Sequence, residues 1–211
     1  MEPRRLNAGI GLVIGAAALV LQFMLSVPAT ADSRGLPFAL LSFFSFFTIL
    51  SNLTLVLIYL SELTSHRWLE WFRHPVTRAM MVAVMGLVTI FYHLLLSGLW
   101  QPEGLYLIAD RLLHYAATLI YWLWWWRFVP HGRVDWRDLP TMLLPTLVYF
   151  GYILLRGAFL NEYPYPILEV GRLGYATVLL NGLIVALGLA VLCAVTIAFD
   201  KLLARKPRTV S

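Results

Sequence analysis

The residues of this chain whose types and spacing could do chemistry lie inside long apolar runs. Asp110, His114 and Thr118 follow one another at four-residue intervals, with Tyr121 close behind. Thr89, His93 and Ser97 repeat the four-residue spacing, Ser45, Thr48 and Asn52 are three and four apart, and Thr177 and Asn181 form a shorter pair. Such intervals place each set on one face of a helix. A carboxylate one turn before an imidazole can accept its ring N–H, which fixes the tautomer and raises the basicity of the other nitrogen. A hydroxyl brought to that nitrogen completes a nucleophile, base and orienter arrangement suited to acyl transfer. Asp110 is the orienter that this spacing selects. For the nucleophile, spacing leaves Thr48, Ser45 and Ser51 open, and for the base it leaves His114 and His93 open.

An acyl transfer also needs donors where negative charge develops. Asn52, Asn181 and a tyrosine such as Tyr165 are candidates for the oxyanion, and His93, Arg156 and Glu169 are further candidates for substrate contact. A plainer role exists for each polar position, because Ser, Thr and Asn also join membrane helices through hydrogen bonds of about 1 kcal/mol. For Asp110 the plainer role is an ion pair with Arg111 or Arg156.

These side chains must be positioned by helices in lipid. Of the 211 residues, 60% are hydrophobic and 13% charged, against roughly 25% charged in soluble domains. The charges fall between apolar blocks. Six blocks are long enough to cross a hydrocarbon core, which takes about 20 residues each: 8–28, 37–61, 76–99, 104–127, 139–158 and 173–199. The expected fold is an all-α, polytopic membrane helix bundle forming one domain over 1–211. The first block follows Arg4 and Arg5 and precedes Ala29-Thr30-Ala31, as a signal peptide would. Its apolar run is nevertheless longer than the 7–15 residues of a signal core, so it is read as a retained span.

Basic residues set orientation. With the N-terminus inside, Arg4, Arg5, Arg67, Arg73, Arg78, Arg127, Arg133, Arg137, Lys201, Arg205, Lys206 and Arg208 flank the inner ends. Arg34, Arg111, Arg156 and Arg172 flank the outer ends. Both termini are therefore expected in the cytoplasm. A pI near 9.6 is accounted for by anionic headgroups rather than by nucleic acid. Trp122, Trp124, Trp125 and Trp126 are expected to form an interfacial belt, and Cys193 to pack as a small apolar residue. Two prolines in Tyr163-Pro164-Tyr165-Pro166 exclude a regular helix. The segment 161–171 is expected to be an extended or re-entrant lip at the outer face, with Glu169 paired to Arg172 or Arg156.

Several stretches resemble a known family. Phe46-Phe47-Thr48-Ile49-Leu50 is similar to the second-span threonine motif of the androgen-induced and androgen-dependent membrane proteins, which hydrolyse fatty acid esters of hydroxy fatty acids. His114 and the aromatic run after it resemble the family's fourth-span histidine. Tyr163-Pro164-Tyr165-Pro166-Ile167-Leu168-Glu169 resembles the element before its last span, and Gly151-Tyr152-Ile153-Leu154 its fifth span. A short, prokaryote-type six-span branch has the same features. The resemblance implies Thr48 as nucleophile and His114 as base. The family carries Asn near the position of Asp110 and a further His in place of Arg111, so the orienting role of Asp110 rests on spacing alone.

The leading functional expectation is an intramembrane carboxylic ester hydrolase with a Thr nucleophile and a His base, acting on lipid esters through an acyl-threonine. It would need no cofactor and no metal, would meet substrate and membrane lipids as partners, and would sit in the inner (plasma) membrane of a bacterium. The competing expectation is a non-enzymatic binding or transport protein with a polar internal cavity. A retinal protein is set aside because Lys201 and Lys206, the only lysines, lie beyond the apolar blocks. His66 and His74 lack partners at metal-ligand spacing.

Overall fold

The computed structural model describes residues 2–99 and 101–204, all-helical with no strand among them. The inner-flank cations Arg205, Lys206 and Arg208 lie outside the described residues. Helix α1 spans Pro3–Arg34, with Pro3 at its first turn and Gly35 (φ +83°) ending it. It packs on α2 (Leu36–Phe43) and α3 (Phe47–Leu63). A short turn, α4 (Glu70–Arg73), leads into α5 (Pro75–Phe91). Then follow α6 (Gly104–Arg111), α7 (Ala117–Phe128), α8 (Leu139–Leu160) and α9 (Val170–Ala204), the last bent at Gly174.

Four helical runs, Pro3–Arg34, Pro75–Leu96, Trp136–Leu160 and Val170–Ala204, are long and apolar enough to cross a membrane, and α2 with α3 make a fifth if the bent pair is one span. Integration into a membrane follows. The helical run from Gly104 to Phe128 is not among these runs, because Asp110, Arg111, His114 and its tyrosines and tryptophans dilute its apolar content.

α5 is the centre of the bundle. Within its apolar stretch 56% of residues are buried, against 22% in α1 and in α9. Met80, Met81, Val84 and Met85 meet Leu55, Tyr121, Trp124, Leu189 and Cys193 there. The outward stripe of α9, Leu180, Ile184, Leu187, Val191 and Val195, is more than half exposed. Its three- and four-residue spacing makes one lipid-facing surface.

Three expectations change. The block 37–61 is not one continuous helix: it breaks at residues 44–46 with a 73° bend. Trp124 and Trp125, expected at the interface, are 2% exposed and pack against Tyr59, Tyr121 and His131, so only Trp122 and Trp126 face outward. Finally, π-helical turns replace α geometry at Tyr92–Leu96 and Leu112–Ala116.

Candidate active site

The break between α2 and α3 shapes the site. A helix that stops inside a bundle leaves backbone groups without helical partners, and here tyrosines reach them. Tyr149 donates to the Ser45 carbonyl at 2.8 Å. The Phe47 N–H donates to the Tyr165 hydroxyl at 2.9 Å. Tyr152 lies 3.2 Å from the Ser45 hydroxyl, which also bonds the Leu41 carbonyl. Thr48 therefore sits in the first turn of α3, at the positive end of that helix dipole.

Across from it, the π turn Leu112–Ala116 carries His114. Thr48 Oγ1 and His114 Nε2 are 3.3 Å apart. On the other side of the ring, Nδ1 lies 3.2 Å from Asp110 Oδ1 and 3.0 Å from the Asp110 carbonyl. Two acceptors at Nδ1 select the Nδ1–H tautomer, which directs the Nε2 lone pair at the threonine hydroxyl. Asp110 is 4% exposed, and its second oxygen accepts a 2.7 Å bond from Tyr92. The Tyr92 ring also stacks on His114, with centroids 3.8 Å apart and planes 17° from parallel. The imidazole is thus fixed at both nitrogens and on one face.

The π turn has structural support of its own. Its wider winding disturbs the regular ladder, and side chains bond its carbonyls. Asn52 donates to Leu113 O at 3.1 Å, and Thr89 donates to His114 O at 2.7 Å while meeting the Thr118 hydroxyl at 2.8 Å.

Two chambers meet at Thr48. A cavity of about 500 Å³ has polar groups on its wall, including Gln22, Ser26, Thr30, Tyr106, Asp110 and His114. A narrower chamber of about 80 Å³ is almost wholly apolar, lined by Leu87, Phe91, Phe150, Ile167, Gly182 and Val185 among others. Thr48, Tyr92, Leu96 and Tyr165 belong to both linings.

The remaining sequence candidates separate. Ser51 bonds the Phe47 carbonyl at 2.5 Å and Ser45 is engaged as above, so neither hydroxyl is bonded to His114. His93 is turned outward and contacts Tyr115 at 3.2 Å. Asn52 uses its amide on the Thr48 and Leu113 carbonyls, with no N–H left for an oxyanion, and joins two helices. Asn181 donates to Ile167 O at 2.8 Å and anchors the loop instead of lining either chamber. Arg156 is 8% exposed and donates to the Glu162 carbonyl at 3.0 Å, while Glu169 pairs with Arg172 at 3.2 Å. Neither arginine proposed for Asp110 reaches it; Arg111 lies over the Tyr115 ring. Tyr165 alone among the outer candidates reaches the centre, where its hydroxyl interacts with the Thr48 and Tyr149 side chains.

Tyr92 is the site residue that spacing missed. Its only sequence signal was adjacency to His93, and the π turn that begins at Tyr92 decides which of the two faces inward. Comparison with protein-family models, curated proteins and solved structures finds no match.

Proposed function

We propose that this chain is an intramembrane hydrolase of lipid carboxylic esters, with Thr48 as nucleophile, His114 as general base and Asp110 as the group that orients it. The observation that carries the reading is the 3.3 Å approach of Thr48 Oγ1 to an imidazole nitrogen whose partner nitrogen faces a buried carboxylate. In the forward step, Thr48 Oγ1 bonds to the ester carbonyl carbon as its proton passes to His114 Nε2. The carbonyl oxygen takes up negative charge beside the start of α3 and the Tyr165 hydroxyl. The bond to the alkoxy oxygen then breaks, and His114 returns the proton to the departing alcohol. Water, deprotonated by His114, cleaves the acyl-threonine to release the fatty acid and restore Thr48.

The two chambers support a choice of substrate class. The apolar chamber suits a methylene chain, and the larger polar cavity suits the half of the ester that carries further oxygen. Fatty acid esters of hydroxy fatty acids meet both requirements, in keeping with the family resemblance of Thr48, His114 and the Tyr-Pro element. The proposal also takes the run from Gly104 to Phe128 as a sixth span, with both termini cytoplasmic in a bacterial inner (plasma) membrane. A span holding Asp110 and His114 faces the bundle interior, which makes those groups tolerable.

The test is labelling of the purified chain with a fluorophosphonate. Wild type is expected to label and to hydrolyse the ester, and Thr48→Ala to lose both. Equal labelling and turnover in the variant would overturn the assignment. The broken α2–α3 pair and the polar cavity also suit a binding or transport protein. Solute uptake into liposomes that survives Thr48→Ala, without ester turnover by wild type, would favour that reading.

A further inference from the structure

Four guanidinium groups gather at the opposite end of the bundle from Thr48. A cavity of about 480 Å³ lies between the start of α1, the end of α3, the start of α5 and the loop after α7. Arg4, Arg73, Arg78 and Arg133 line it, and Glu62 is the one acidic residue in the lining. Glu62 Oε2 accepts from Arg4 at 2.7 Å and from Arg78 at 2.9 Å. Two arginines thus share a single carboxylate oxygen, and the wall keeps a net charge of +3.

The donors of this wall are incompletely used. Arg4 Nε is buried without an acceptor. Arg78 is 5% exposed, with its Nε on the Phe72 carbonyl at 3.3 Å and the Trp124 ring 5.3 Å away. Arg73 holds the carbonyls of Ser61, Thr64 and His66 through Nε and Nη2, so Nη1 remains. Arg133 has no side-chain partner among the described residues. Pro75 brings the start of α5 to the same wall, and no side chain caps that helix. Its dipole adds positive potential there.

Like charges at the edge of a low-dielectric region repel unless an anion joins them. A phosphate presents several charged oxygens to forked guanidinium donors and matches them better than a single carboxylate does. We propose that this cavity binds a phosphate group, borne by an anionic phospholipid headgroup or by a small soluble phosphate ester. The inference stands apart from the ester chemistry at Thr48.

The full chain is purified and its thermal unfolding followed in two settings: neutral phosphatidylcholine nanodiscs with increasing phosphatidylglycerol, and detergent with increasing glycerol phosphate. Arg4→Gln and Arg133→Gln are compared with Arg67→Gln, an exposed cation near the same end that is absent from the cavity wall. The wild type is expected to be stabilised. Each cavity variant should show about tenfold weaker apparent affinity, the effect of losing a charge-assisted contact, and Arg67→Gln should behave as wild type. Stabilisation by phosphatidylglycerol alone assigns a lipid headgroup, and stabilisation by glycerol phosphate assigns a soluble ester. No stabilisation by either, or equal stabilisation of wild type and both cavity variants, overturns the proposal.

Discussion

His114 is held in place by what surrounds the ring. Asp110 faces Nδ1, Thr48 faces Nε2 and Tyr92 covers one face, so the side chain has one orientation and one tautomer to adopt. Asp110 Oδ1 lies 3.2 Å from His114 Nδ1, and its Oδ2 accepts a hydrogen bond from Tyr92. Replacing it by Asn alters more than charge. If the amide turns its NH₂ toward Nδ1, the proton moves to Nε2, and the lone pair that should accept from Thr48 is lost. Asp110→Asn is therefore expected to lower ester turnover by about three to four orders of magnitude, the scale known for orienting carboxylates. Tyr92→Phe removes one charge-assisted hydrogen bond and keeps the stacking surface; about a tenfold fall in turnover is expected. Initial rates with a lipid ester in detergent measure both. An Asp110→Asn variant turning over ester at the wild-type rate would remove Asp110 from the proposed mechanism.

At the scale of elements, the site depends on two interruptions of regular helix. The break at residues 44–46 turns the start of α3 into the interior, and Tyr149 and Tyr165 bond the exposed backbone. The π turn at Leu112–Ala116 presents His114 opposite that start. The loop after α8 is held by Asn181 and delivers Tyr165 to the junction of the two chambers. α9 contributes Gly182, where a Cβ would come within 2.3 Å of the tip of the Phe150 ring. Gly182→Ala must displace that ring, and the apolar chamber should narrow because both residues line it. The variant is expected to keep short-chain ester turnover and to lose about tenfold on long acyl chains, a change on the scale of one methylene of misfit. A series of esters of increasing acyl length reads this out. An unchanged length profile would place the acyl chain elsewhere.

The whole molecule is arranged around α5, with apolar stripes on α1, α8 and α9 turned to lipid and polar groups turned inward. This is the distribution that a bilayer demands, because charged side chains facing hydrocarbon are costly. The proposed orientation can be tested with two exposed serines at opposite ends, Ser33 at the finish of α1 and Ser65 after α3. In intact cells an impermeant maleimide is expected to label Ser33→Cys and to reach Ser65→Cys only after permeabilisation. The native Cys193 is fully buried and gives little background. Reversed labelling would invert the topology, and labelling of both from outside would mean that α2 and α3 do not cross together.

By itself the sequence determined the class of fold and offered a short set of candidate side chains, because apolar blocks, flanking arginines and four-residue polar spacings are local properties. Asp110 and His114 could be paired from their spacing on one helix. Spacing could not set Thr48 above Ser45 or Ser51, nor His114 above His93, since that choice depends on which faces meet across helices; only the family resemblance pointed to Thr48 and His114. The tertiary structure also decided what no periodicity encodes: a helix break without glycine or proline, stabilised by tyrosines from about a hundred residues further along, and π turns that rotate Tyr92 inward and His93 outward. It separated Trp124 and Trp125 from their exposed neighbours and gave Asn52 and Asn181 to helix and loop anchoring. In each case the outcome rests on contacts between segments distant in the chain, where packing and the pairing of buried backbone groups outweigh the local helical pattern.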